Sequence, residues 1–133
     1  MAAPTRFLTV SEVTDIARIA FSGPDDPENP VPETRDPALL ASAVHRPRAR
    51  MFGTAAYTDP YEQAAALLHG IAANHPLVDG NKRAAWLAAA TFLALHGRDL
   101  AACDQDAAYG LVIDVASGAE SEIAVIAARL RAL

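Results

Sequence analysis

The sequence predicts an all-α fold: a compact helical bundle of about six helices around a central helix, with a short flap strand or hairpin. Three observations lead there. Apolar residues recur at three- and four-residue spacing through most of the chain. Capping residues and glycine or proline stops cut that pattern into helix-length pieces. One internal stretch, Arg46 to Thr58, resists a helical reading because it holds Pro47, Gly53 and closely spaced arginines.

Thr9-Val10-Ser11-Glu12 is a capping-box pattern that opens the first helix. Val13, Ile16, Ala17, Ile19 and Ala20 form its apolar face, and Gly23-Pro24 stop it. Pro24 to Pro37 reads as an extended polar loop, proline-rich and acidic, with Asp25 to Glu33 solvated. Asp36-Pro37 opens the second helix, Asp as N-cap and Pro in the first turn. Leu39, Leu40 and Ala43 face inward, and Pro47 ends it. Arg46, Arg48 and Arg50 alternate, so an extended backbone would point all three to one side.

Asp59-Pro60-Tyr61-Glu62 opens the third helix with a second capping box, and the helix ends near Asn74. Ala64, Ala65, Leu67, Leu68, Ile71 and Ala72 supply its buried stripe. The fourth helix starts at about Asn81 and is apolar nearly all round, which makes it the expected central helix. Gly97 stops it. Asp104 caps a fifth helix that ends before Gly118, and a sixth runs from about Ser121 to Leu130.

The 133 residues are expected to form one domain, 1–133, and 52% hydrophobic content excludes disorder as the default. A net charge of −5 argues against direct nucleic-acid binding. Cys103 has no partner for an internal disulfide, which fits a reducing cytoplasm. Glu12 and Asp15 interrupt what a signal peptide would need, so no secretion signal is read. The longest apolar run, Trp86 to Leu95, is far shorter than the roughly 20 residues of a membrane span.

The chemistry gathers in His75-Pro76-Leu77-Val78-Asp79-Gly80-Asn81-Lys82-Arg83. An imidazole, a carboxylate, an amide and two cations flank a helix start. Such a start offers unpaired N–H groups and the positive end of the macrodipole, and so suits an anion. A base, a metal-capable carboxylate and a phosphate cradle are what phosphoryl or nucleotidyl transfer needs. Imidazole suits the base role near neutral pH. Asp79 can also be read as the N-cap of the fourth helix. Lys82 and Arg83 in a first turn oppose the macrodipole, which a bound anion would explain.

This motif resembles the core motif of the Fic/Doc family, HPFx(D/E)GN(G/K)R, and looks most like its Doc, or death-on-curing, branch, which has lysine where Lys82 stands. Arg35-Asp36-Pro37-Ala38-Leu39-Leu40-Ala41-Ser42-Ala43 is similar to a helix of Doc-like proteins. Pro47 to Gly53 sits where the family has its flap, and the resemblance runs over about residues 8 to 130. It implies a catalytic base at His75, a Mg²⁺ contact at Asp79, close phosphate approach at Gly80, and anion-hole residues at Asn81, Lys82 and Arg83. One of Arg46, Arg48 and Arg50 would contact nucleotide or target from the flap.

For the Doc branch the resemblance implies ATP as substrate with Mg²⁺, and transfer of the γ-phosphate to a Ser/Thr hydroxyl of a translation protein, elongation factor Tu first among them. It also implies a separate Phd-like antitoxin as partner and a cytoplasmic setting. Fic-type adenylyltransferases instead carry glycine at the Lys82 position and often a second arginine where Trp86 stands. Adenylyl transfer is therefore the second reading, and a catalytically silent antitoxin-binding relic the third. Leu77 replaces the family's usual phenylalanine, which implies modest repacking of a loop anchor. Glu28-Asn29 is the nearest match to a self-inhibitory motif, but Pro24 occupies its hydroxyl position, which points to control by a separate chain. His45, His69, His96 and Cys103 read as structural or exposed.

Overall fold

The computed structural model describes residues 5–22 and 33–133. Six helices carry the fold: α1 (Val10–Ser22), α2 (Pro37–His45), α3 (Pro60–Asn74), α4 (Asn81–Leu95), α5 (Gln105–Ser117) and α6 (Ile123–Ala132). A 3-10 turn (Arg46–Arg48) follows α2, and a two-stranded antiparallel hairpin follows the turn, β1 (Arg50–Met51) with β2 (Thr54–Ala55). The stop at Gly23-Pro24, the polar loop and Glu28-Asn29 fall, but for residues 33 to 37, outside the described residues.

Most boundaries arise from the capping chemistry. Thr9 Oγ1 accepts from Glu12 N at 3.1 Å, and Glu12 Oε1 accepts from Thr9 N at 3.0 Å, a complete reciprocal box. The Arg6 guanidinium, 2.6 Å from Glu12, holds that carboxyl below its usual range, with the Thr9 N–H adding to the effect. Asp36 accepts from Ala38 N and Leu39 N, and Asp104 from Asp106 N and Ala107 N. At α3 half of the expected box forms. Asp59 accepts from Tyr61 N at 2.7 Å, while its other oxygen takes Arg131 of α6 at 2.5 Å. The last helix begins two residues later than Ser121, at Ile123.

Two expectations change. The enclosed helix is α3 more than α4. Residues 63–68 and 70–72 of α3 are buried as an almost unbroken run, and α3 packs against α2, α4, α5 and α6. α4 keeps Lys82, Arg83, Ala94 and Leu95 exposed. Alanine and glycine explain the difference, because they let neighbouring helices close on α3 from several sides. An ideal Cβ on Gly70 would lie 2.9 Å from the Ala43 Cβ of α2.

The second change is at the arginines. Arg46 and Arg48 lie in the 3-10 turn, not on a strand, because Pro47 suits the first turn of a helix and Ala49 N bonds back to Arg46 O at 3.0 Å. The three side chains therefore diverge. Arg46 Nη1 donates to His69 Nδ1 at 2.6 Å, the Arg48 guanidinium lies 5.1 Å over the Phe7 ring, and Arg50 Nη2 donates to Gly53 O.

The core joins Val13 and Ala17 of α1, Leu40 and Val44 of α2, Leu67, Leu68 and Ile71 of α3, Phe92 and Leu93 of α4, and Leu111, Val115, Ile126 and Leu130 of the last two helices. Phe7 stacks on Phe92 at 6.3 Å, and His96 joins the N-terminal segment by accepting from Arg6 N at 3.1 Å. Among the described residues no helix is long and apolar enough to cross a membrane.

Candidate functional site

The motif is the turn between α3 and α4. His75 is the C-cap of α3 and adopts a left-handed backbone (φ 49°, ψ 57°), its N–H bonded to Ile71 O at 3.2 Å. That conformation is uncommon for a residue with a Cβ, so the surrounding contacts have to enforce it. They come from residues 33 to 36. Arg35 N and Asp36 N both donate to Pro76 O, at 2.8 and 3.1 Å, and Val78 N donates to Glu33 O at 2.9 Å. Thr34 and Leu77 form an antiparallel bridge. The Arg35 guanidinium donates to His75 O at 2.7 Å and to Asn74 O at 2.9 Å. A cation there satisfies carbonyls that the end of α3 leaves open and meets the negative end of its dipole.

From inside, Asn81 closes the turn. Its Oδ1 accepts from Leu77 N and its Nδ2 donates to Leu77 O, both at 2.9 Å, and the residue is 9% exposed. The side chain read from the sequence as part of the anion hole is thus occupied with the loop's own backbone. What Asn81 offers an anion is its main-chain N–H, in the first turn of α4. Leu77 fills the buried anchor position at 4% exposure, so leucine seats this loop without a phenylalanine.

The N-cap of α4 is Gly80, left-handed at φ 77°, and not Asp79. Asp79 Oδ1 accepts from Gly80 N at 2.7 Å, one residue too early to cap the helix. The Gly80 conformation turns the chain directly into the helix, and no side chain caps its first N–H groups. Lys82 and Arg83 are exposed in that first turn, and neither has a carboxylate partner among the described residues.

The structure brings His75, Asp79, Gly80, Asn81, Lys82 and Arg83 around one cleft of about 450 Å³, with Val78 at its edge. The imidazole of His75 is exposed and has no hydrogen-bond partner among the described residues. Arg46, Arg48 and Arg50 do not line this cleft. Arg48 and Arg50 line another one, of about 550 Å³, which also includes Gln63 of α3. Gln63 precedes His75 by twelve residues, about 18 Å of helix at 1.5 Å per residue.

No cluster of three or more His, Cys, Asp or Glu side chains suited to a metal occurs among the described residues. Asp79 is the acid of the motif cleft. One carboxylate beside a helix start with two exposed cations would fit Mg²⁺ that arrives on nucleotide phosphates, because Mg²⁺ keeps several waters and takes one or two protein carboxylates there.

Arg35 and Gln63 had no role in the sequence reading. Arg35 sits in the Doc-like stretch, but its contacts with Asn74 and His75, forty residues on, depend on the tertiary approach of α2 to the motif. Gln63 was hidden in the apolar stripe of α3, where its single amide is the exception.

The chain is similar in sequence to known proteins. The sequence model of the Fic/DOC family matches residues 7–93, from the segment before α1 through the motif to the end of α4. A curated relative, Toxin Doc of Mycolicibacterium smegmatis (strain ATCC 700084 / mc(2)155), is 45% identical over 114 residues, which cover 85% of this chain and 82% of the relative. Both matches contain the turn that presents His75 and the first turn of α4, and on them the chain belongs to the Fic/DOC family.

Proposed function

We propose that the chain is a Doc-like toxin of a toxin–antitoxin system that transfers the γ-phosphate of ATP to a Ser/Thr hydroxyl of a translation protein, with elongation factor Tu as the first target to try. The observation that carries this reading is Lys82. It stands exposed beside Arg83 in the first turn of α4, without a carboxylate partner among the described residues, where adenylyl-transferring relatives have glycine. A lysine there fills the space an α-phosphate would need and supplies charge to a terminal phosphate instead. The likeness to Toxin Doc supports the same reading.

His75 accepts the proton of the target hydroxyl as the new O–P bond forms. The bond from γ-phosphorus to the β–γ bridging oxygen breaks, and ADP leaves with the electron pair. The N–H groups at the start of α4, together with Lys82 and Arg83, hold and neutralise the phosphoryl oxygens, which is most of the catalysis such transfers need. Asp79 would hold Mg²⁺ on the nucleotide, where the ion supplies further charge neutralisation. A Phd-like antitoxin segment laid over the toxin surface would block the reaction, and a translation target sets it in the cytoplasm.

Incubation of the purified chain with ATP, Mg²⁺ and elongation factor Tu, followed by intact-protein mass spectrometry, tests this. The expected result is a gain of one phosphoryl group on the target. A gain of one nucleotidyl group would instead make the chain an adenylyltransferase. His75→Ala is expected to abolish both the transfer and growth arrest in cells, and growth arrest that survives this change would sink the enzymatic reading.

A further inference from the structure

The three arginines between α2 and α3 differ in what holds them. Arg46 is half-buried and spends a guanidinium donor on His69 Nδ1, and Arg50 donates to Gly53 O. Arg48 is exposed, and among the described residues its guanidinium makes no hydrogen bond and meets no carboxylate. Its contact is the Phe7 ring, with Cζ 5.1 Å from the ring centroid. The ring limits where this guanidinium can go, while the N–H donors of its fork stay available.

We propose that Phe7, which lies outside both the motif and the flap, is a positioning residue for the transfer: it sets Arg48 for the protein substrate. The inference rests on the transfer proposed above, and it holds whether the group moved is phosphoryl or adenylyl.

Phe7 can act in this way because it is itself fixed. It belongs to an extended segment before α1 whose residues alternate between two clefts. Thr5 and Phe7 line the cleft that Arg48 also lines, and Arg6 and Leu8 line a smaller one between α1 and α4. Leu8 is buried, and Thr9 closes the capping box of α1. Arg6 N donates to His96 Nε2 at 3.1 Å. A neutral imidazole that accepts through Nε2 carries its proton on Nδ1, and Nδ1 lies 2.7 Å from Phe92 O, which accepts it. The Phe7 ring stacks on Phe92, which is 1% exposed. The ring that carries Arg48 is thereby tied to the buried side of α4.

This placement bears on the protein substrate and not on ATP. Arg48 does not line the motif cleft, where the phosphates would be held. A guanidinium outside that cleft meets the molecule that comes to it, and a side chain already confined loses less freedom on binding. Removing the Phe7 ring should raise KM for the protein substrate and leave kcat and KM for ATP unmoved. The rise should be roughly two- to fivefold, the worth of an exposed cation–π contact.

Phe7→Leu keeps apolar bulk against Phe92 and removes the ring, whereas Phe7→Tyr keeps the ring. Both are compared with the unaltered full-length chain, with Arg48→Gln, and with the double variant carrying Phe7→Leu and Arg48→Gln. Steady-state transfer is measured to the protein that mass spectrometry shows to be modified. Phe7→Leu should raise KM for that protein, Phe7→Tyr should restore it, and Phe7→Leu should add nothing once Arg48 is replaced, because a residue that acts through another is not additive with it. A second measurement needs no transfer: nitrogen relaxation of the arginine side-chain Nε–H groups in the free chain. Arg48 should be ordered in the unaltered chain and in Phe7→Tyr and mobile in Phe7→Leu, while Arg50, held by Gly53 O, stays the same in all three. An unchanged KM in Phe7→Leu, additive effects in the double variant, or an Arg48 Nε–H indifferent to the Phe7 variants would each overturn the proposal. So would a lowered melting temperature as the sole effect, which would leave Phe7 as core filling. If no protein is modified, the transfer reading fails by itself, and the relaxation measurement still decides whether Phe7 places Arg48.

Discussion

Asn81 and Arg35 both hold the turn between α3 and α4 that carries His75, and each should show it differently on substitution. Asn81 satisfies both backbone groups of buried Leu77. Asn81→Ala leaves that N–H and C=O without partners, and the expected loss is roughly 2–6 kcal/mol of unfolding free energy, at about 1–3 kcal/mol per orphaned group. Urea denaturation measures it. A loss under half a kcal/mol would mean that the Leu77 groups find water. Arg35 is exposed, and among the described residues its guanidinium bonds the carbonyls of Asn74 and His75. Arg35→Gln should therefore cost little stability but loosen the left-handed turn that aims His75. Under the phosphotransfer reading, kcat falls roughly tenfold with KM for ATP nearly unchanged, as expected when positioning is lost and ground-state binding is kept. Faster amide exchange at Leu77 and Val78 should accompany it, and unaltered exchange would assign Arg35 no positioning role.

At the scale of elements, α2 and α3 approach closely at Gly70. An ideal Cβ on Gly70 would meet the Ala43 Cβ at 2.9 Å and its Cα at 3.0 Å. The second of these is backbone, so no rotamer change relieves it and the helices must separate. Gly70→Ala gains about 1 kcal/mol of helix propensity and loses more to the forced repacking, for a net destabilisation of about 1–2 kcal/mol. The midpoint of urea unfolding should fall with its slope unchanged. Stabilisation by this substitution would show that α2 shifts freely. Since α2 also carries Asp36, whose N–H bonds to Pro76 O, its separation from α3 should slacken the motif as well.

For the whole molecule, pH acts through His69. Burial and the neighbouring Arg46 charge hold this imidazole below its ordinary value of 6.5. The folded chain takes up the proton less readily than the unfolded one, and stability rises with pH wherever the unfolded chain holds more protons. The contribution is complete above 6.5 and is lost as the pH falls below it. Arg46 can only donate, so the contact at 2.6 Å requires a neutral His69 with an accepting Nδ1. The melting temperature is expected to drop between about pH 7.5 and pH 5.5, and to drop less in His69→Gln. Identical slopes for the two proteins would remove His69 as the source. The contact ties the end of α2 to the middle of α3, so acid should open the bundle on that side first.

The sequence by itself determined the helices, their caps and the chemistry-bearing turn. Thr9, Asp36, Asp59 and Asp104 act through hydrogen bonds to N–H groups two or three residues away, and Gly97 through its own backbone. Such interactions are local, which makes them readable from residue order. The motif was legible for the same reason, as nine contiguous residues supply His75 and Val78 to Arg83, which line one cleft. Tertiary structure alone decided the rest. Burial chose α3 over α4 as the enclosed helix, because small side chains matter only once neighbours press on them. The alternation of Arg46, Arg48 and Arg50 suggested one face, but Pro47 and the partners His69, Phe7 and Gly53 sent them three ways. The contacts of Arg35 with Asn74 and His75 and the orphaned oxygen of Gln63 exist because elements distant in the chain meet in space, and no local pattern encodes that meeting.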